Sequence, residues 1–277
     1  MMIAPPFEPL SIPRRKLVVA NWKMHGNLAM VRQDVPVLAE HALAGVPLML
    51  APPAPYLGEV GRFAQGSQLH LCGQDVAEVS DGERTGEWSA SMLADLGCCH
   101  ALVGHSERRQ FHYEDDRLIA AKARACLRAS ITPIVCIGES RIARDAGQTQ
   151  EVLRRQLASL LDCGAWRGAW IAYEPLWAIG SGEAATPQMA QDVLAFIRNL
   201  IAQQDPAIAR SMPLLYGGSV KPDNAASLFA MPDIDGALVG SASLQTESLL
   251  QIYAAAIEAD AVIPRNAEPV HSALHSI

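Results

Sequence analysis

Eight apolar runs of strand length recur along the chain, each separated from the next by a longer stretch of helical character. They are Lys16–Asn21, Pro47–Ala51, Gln68–Gln74, His100–Val103, Thr132–Ile137, Ala169–Tyr173, Pro213–Tyr216 and Gly236–Val239. Their low polarity means that both faces of the sheet they build need cover, as in parallel sheets flanked by helices. The intervening stretches supply that cover. The clearest opens on Thr186-Pro187, a capping hydroxyl followed by proline at the first helical position. Ala190, Val193, Leu194, Ile197, Leu200 and Ile201 then form one stripe at spacings of three and four. Residues 148–161 set Val152, Leu153, Leu157, Leu160 and Leu161 against Glu151, Arg154 and Arg155 on other faces. Met30–Leu43, Asp116–Leu127 and Ser248–Ile257 also read as helices, with Pro36 bending or shortening the first.

This alternation predicts an α/β fold, a closed (β/α)8 barrel. An open doubly wound sheet is the competitor. No Gly-x-Gly-x-x-Gly fingerprint follows the first strand, and neither a Walker A loop nor a Gly-x-Ser-x-Gly elbow occurs. No domain-sized linker interrupts the pattern, so the expected organisation is an extended arm at 1–15, one barrel domain at 16–261 and a weakly specified tail at 262–277. With 22 basic against 29 acidic residues the net charge is −7, which lacks the basic surface of nonspecific nucleic-acid binding. The apolar runs near 46–51 and 236–239 are far too short to span a membrane. Six cysteines without a Cys-x-x-Cys pair fit a reducing cytoplasm better than a disulfide scaffold. The opening MMIAPPFEPLSIPRR has prolines and an acid where a secretory signal needs an apolar core.

A barrel gathers the polar residues at the C-terminal ends of its strands on one face, which is where chemistry is expected. Asn21-Trp22-Lys23 ends the first strand and Gly104-His105-Ser106-Glu107 the fourth. Glu174 ends the sixth, followed by Pro175, Leu176, Trp177, Ala178, Ile179, Gly180, Ser181 and Gly182. Proline fixes φ and glycine frees it, so this segment reads as a lid moving between defined positions, or else as a rigid surface loop. Glu174 is either a base strengthened when its water is stripped away, or a carboxylate that caps the loop or pairs with a cation. A histidine after a strand is more often structural than functional, and a lone lysine normally faces solvent. Gly217-Gly218 before Ser219 is a turn or a close approach to an anion. Cys98-Cys99-His100 mixes buried and boundary positions and offers no convincing metal-ligand set.

Five segments together resemble the triosephosphate isomerase family: Asn21-Trp22-Lys23-Met24, Gly104-His105-Ser106-Glu107-Arg108-Arg109, Cys136-Ile137-Gly138-Glu139, the stretch around Glu174, and Tyr216-Gly217-Gly218-Ser219-Val220. The resemblance runs from about Lys16 to Leu250 in the family's order and spacing. It implies a TIM barrel and a cytoplasmic homodimer of glycolysis and gluconeogenesis. It also implies interconversion of dihydroxyacetone phosphate and D-glyceraldehyde 3-phosphate with no cofactor and no metal. By the same resemblance Glu174 is the base, His105 the electrophile, Lys23 the catalytic lysine, Asn21 the active-site asparagine and Glu107 the acid beside the lysine. Pro175–Gly182 becomes the closing lid, with phosphate contacts at Gly180, Ser219, Gly240 and Ser241. This family is the standard example of a helix N-terminus keeping a catalytic histidine neutral, and His105 is expected to follow it. The loop near Thr85 is expected to enter the neighbouring subunit, or to be an ordinary surface turn.

The chain departs from the family pattern at several positions. His25 replaces an asparagine, Arg84 a phenylalanine, Asp75 another asparagine, and Ser241-Ala242 a Gly-Ala pair. These changes bear on the dimer and on the phosphorylated substrate, leaving a four-carbon, erythrulose-type sugar phosphate as the alternative. A noncatalytic phosphometabolite-binding protein is the reading from another class.

Overall fold

The computed structural model describes residues 14–178 and 185–263. Eight parallel strands close in sequence order: β1 (Leu17–Asn21), β2 (Leu48–Ala51), β3 (Leu69–Gly73), β4 (Cys98–Val103), β5 (Thr132–Ile137), β6 (Trp170–Tyr173), β7 (Leu214–Tyr216) and β8 (Gly236–Val239). Closure is made by β1 against β8, with Leu17 opposite Gly236 and Ala20 opposite Val239. The (β/α)8 expectation holds, and the open sheet is ruled out.

Alternate residues of each strand face two different cores, which is why the runs read as continuously apolar. Leu17, Val19, Met49, Cys72, Leu102, Ile134, Cys136, Ala172, Leu215 and Leu238 fill the barrel interior. Their neighbours, among them Val18, Leu48, Leu71, Val103, Val135, Ile171 and Leu214, pack outward against Val35, Leu57, Ile119, Leu157, Leu194 and Ile252 of the helical layer. Each large aliphatic side chain so buried contributes roughly 1.5–3 kcal/mol, so the scaffold under the strand ends is rigid.

Helices Asp116–Arg128, Thr149–Asp162, Pro187–Ala202 and Thr246–Ala261 match the predicted stripes within a turn. The helix predicted at Met30–Leu43 runs Leu28–His41 and is capped by the Asn27 side chain. Pro36 lies inside it without ending it, since the helix runs on for five more residues. Six further helices escape the periodic signal because they are eight residues or shorter: Leu57–Ala64, Ala90–Asp95, Ser106–His112, Arg141–Asp145, Pro206–Ser211 and Pro222–Phe229. Cys98 is buried while Cys99 and His100 are half-buried, the mix expected from the sequence, but β4 opens at Cys98 and not at His100. The register slips between Leu71 and Cys72, so Cys98 faces Leu71 while His100 faces Cys72, extending the strand by two residues.

The N-terminal end of the barrel is tied by charge. Lys16 Nζ donates to the Ile234 carbonyl at 2.6 Å and its backbone N–H donates to Asp260 at 2.9 Å. Arg15 pairs with Asp260 at 3.3 Å, and Arg14 with Asp233 and Asp235 at 3.4 Å. Of the arm expected at 1–15, these two arginines are described and the rest lies outside the described residues, as does 264–277 of the tail. No helix among the described residues is long and apolar enough to cross a membrane.

Candidate active site

At the C-terminal ends of the strands lies a cavity of about 800 Å3. Asn21, Lys23, His105, Glu107, Glu174, Ser219, Gly240 and Ser241 all line it. Every residue singled out from the sequence for catalysis or phosphate contact therefore faces one space, except Gly180. That residue, with Ile179, Ser181 and Gly182 of the expected lid, lies outside the described residues.

Lys23 leaves β1 in a left-handed conformation, φ 52°. Its backbone N–H donates to Asn21 Oδ1 at 2.9 Å, and its carbonyl accepts from Gln74 Nε2 at 2.8 Å. Its ammonium donates to Glu107 Oε1 at 2.9 Å. The lysine is held from both ends, with three-quarters of its side chain covered.

His105 caps the helix Ser106–His112: Nδ1 accepts the Glu107 N–H at 3.3 Å. With its lone pair so engaged, Nδ1 carries no proton, and the opposite nitrogen, Nε2, carries the N–H. That N–H points to Glu174 Oε1 at 3.0 Å. The Glu174 carboxylate also accepts from the Ser106 backbone N–H at 2.8 Å and from Ser106 Oγ at 3.3 Å, and the residue is only 2% exposed. Burial works to protonate Glu174, but the His105 ring, the Ser106 N–H and Lys23 outweigh it and hold its pKa below the usual value. Burial likewise depresses His105, and Glu174 more than reverses this, so the imidazole pKa stands above its usual value. In this arrangement the neighbouring Glu174 carboxylate, 3.0 Å from Nε2, favours the charged ring, whereas the helix N-terminus that His105 caps favours the neutral one.

Glycines shape the wall. A Cβ on Gly217 would sit 2.9 Å from Glu174 Cγ, and one on Gly138 would collide with the Glu174 carbonyl. At Gly217 the missing side chain accommodates the carboxylate stem as well as any ligand. Cys136 is fully buried beneath, where burial pushes its thiol pKa far up, and it lines no part of the cavity.

After β6 the chain makes a short 3-10 turn, Leu176–Ala178, anchored to Glu139 at the end of β5. Trp177 Nε1 donates to Glu139 Oε1 at 3.0 Å, Tyr173 Oη to the same oxygen at 3.1 Å, and the Leu176 N–H to the Glu139 carbonyl at 3.2 Å. The Arg144 guanidinium lies 4.0 Å over the Trp177 ring. Sequence reasoning assigned no role to Ser106, Gln74 or Glu139. Ser106 and Glu139 lie inside motifs at strand ends and Gln74 closes the third apolar run, the one signal that could have found them. Among the described residues no group of three or more His, Cys, Asp or Glu side chains could hold a metal ion.

The chain is similar to known proteins over nearly the whole of its barrel. A family model described as triosephosphate isomerase matches residues 16–256. The triosephosphate isomerase of Xanthomonas oryzae pv. oryzae is 50% identical over 247 residues, covering 88% of this chain and 98% of that protein. That of Alkalilimnicola ehrlichii is 46% identical over 247 residues, covering 88% and 99%. The crystal structure of triosephosphate isomerase from Bartonella henselae superposes with a TM-score of 0.80 at 34% identity, covering 87% of this chain and 98% of that one.

Proposed function

The chain belongs to the triosephosphate isomerase family, and from that membership we propose that it interconverts dihydroxyacetone phosphate and D-glyceraldehyde 3-phosphate through an enediolate. The observation that carries this reading is the convergence of Lys23, His105 and Glu174, from three strand ends, on one cavity.

Glu174 is the base. In its resting position it is bonded to Ser106 and His105, so it must leave both to reach a substrate carbon. Leaving them removes the groups that depress its pKa while burial persists, and the carboxylate becomes a stronger base as it arrives. The same movement frees the His105 Nε2–H to donate to the substrate's carbonyl oxygen. It also withdraws the charge that had raised the imidazole pKa, which favours the neutral donor. Lys23, held by Glu107 and Gln74, places a positive charge where oxygen gains negative charge in the transition state. Asn21 fixes the Lys23 backbone. Ser219, Gly240 and Ser241, at the ends of β7 and β8, offer the phosphate backbone N–H groups where barrels of this type commonly bind it.

Closure of Pro175–Gly182 over the substrate belongs to this reading, as does a cofactor-independent homodimer in the cytoplasm. The exposed loop at 81–87, which includes Thr85, supports a subunit contact there. The test is steady-state kinetics on three- and four-carbon sugar phosphates with chelator present. Efficient turnover of the triose is expected, with Glu174→Asp lowering kcat about 10²-fold because the carboxylate retracts by roughly 1 Å. A higher kcat/KM on the four-carbon compound would overturn the substrate, and unchanged turnover in the variant would overturn the base.

A further inference from the structure

A lysine with positive φ persists only where its surroundings over-determine it. The two groups that grip Lys23 beyond its own strand are Gln74, on the carbonyl, and Glu107, on the ammonium. The next residue along the chain from each grip belongs to one ion cluster. Asp75 follows Gln74 and Arg108 follows Glu107. Arg108 Nη2 lies 2.9 Å from Asp75 Oδ2 and 2.8 Å from Glu114 Oε1. Lys122 Nζ donates to both Asp75 oxygens at 2.8 Å and also to Glu114. Two carboxylates and two cations cancel, and Asp75, Glu114 and Lys122 are all buried. The links close a ring from Lys23 through Gln74, Asp75, Arg108 and Glu107 back to Lys23.

We propose that Asp75 is a positioning residue for Lys23: its carboxylate clamps together the two backbone stretches that hold the lysine's carbonyl and its ammonium. This rests on the reading of Lys23 as the cation that meets the phosphorylated substrate. An aspartate suits the task because three contacts from two cations converge on its two oxygens. An asparagine offers one acceptor oxygen and leaves the cluster with a buried net positive charge. Asp75 is itself steadied by the Trp88 indole, whose N–H donates to its carbonyl at 2.7 Å. The clamp therefore also ties down the start of the loop after β3.

The test compares the full chain with Asp75→Asn and with the double variant Asp75→Asn/Lys122→Gln, whose cluster is again neutral. The readouts are KM and kcat for D-glyceraldehyde 3-phosphate, the competitive Ki of inorganic phosphate, and the urea midpoint. KM and the phosphate Ki should rise about fivefold in both variants. The midpoint should fall in the single variant and recover substantially in the double. Kinetic constants that recover with stability, or that never change, would reduce Asp75 to charge balance and overturn the proposal. Should Asp75→Asn not fold, the double variant decides by the same comparison. Wild-type protein that binds phosphate without turnover would sink the isomerase reading instead, and the phosphate Ki would still judge Asp75. Protein that neither turns over nor binds phosphate would overturn both.

Discussion

Burial acts against charge on both Glu174 and His105, and the contacts each makes, with the other among them, reverse its effect. The histidine pKa is raised in the folded chain, so its contribution to stability is complete below the unfolded value near 6.5. That contribution is lost as pH rises through the folded value. The glutamate pKa is depressed, so its contribution is present above the unfolded value of about 4.3 and lost as pH falls through the folded one. Together they stabilise the resting site most between those two unfolded values. Replacing Glu174 by Gln removes both contributions, so the thermal-stability gap between wild type and Glu174→Gln should be wider at pH 5.5 than at pH 8.5. A gap that stayed constant, measured by calorimetry, would mean that the two side chains do not sense each other's charge. The sequence supplied the residue types here and their place at strand ends. It could not supply the Ser106 contacts, because a serine after a histidine looks the same whether it binds a carboxylate or water.

At the scale of elements, the turn after β6 depends on a carboxylate just beyond the end of β5. Glu139 is fully buried and gathers Tyr173, Trp177 and Thr149 on one oxygen, with Arg144 at 3.5 Å. Glu139→Ala would take away the acceptor shared by buried Tyr173 and Trp177 and half-buried Thr149, at about 1–3 kcal/mol for each donor that neither water nor another group then reaches. The expected result is a lower urea midpoint together with faster amide exchange at Leu176–Ala178. Exchange as slow as in the wild type would place the restraint on that turn elsewhere. The motif Cys136-Ile137-Gly138-Glu139 was recognisable in the sequence, yet its partner lies almost forty residues away. Only the pairing of β5 with β6, Ile137 opposite Tyr173, brings them together. Short helices were illegible for a related reason. Six residues such as Ala90–Asp95 show too few repeats of a 3.6-residue period to stand out, and their helicity comes from packing and from caps such as Ser89.

Over the whole molecule, the end of the barrel opposite the site makes its own demand on pH. His100, on β4, packs at 4.5 Å from the Trp170 ring, and burial, helped by nearby His70, lowers its pKa to about 3. The unfolded chain therefore binds a proton that the folded chain refuses between pH 6.5 and 3, and stability falls as pH drops through that window. The slope approaches about 1.4 kcal/mol per pH unit for one such group. His100→Phe should flatten the dependence of the urea midpoint between pH 6 and 4, and an undiminished slope would assign the acid sensitivity to other groups. The predicted start of β4 at His100 was two residues late at this same end, because a slip of register between neighbouring strands leaves no mark on either sequence. What the amino-acid order determined alone was local and periodic: eight apolar runs, the longer amphipathic helices, and polar residues waiting at strand ends. Which of those residues meet, which proton each keeps, and which buried charges brace them depended on closure of the barrel. Burial and charge act through distance in space, and residues tens of positions apart acquire that distance only when β1 joins β8.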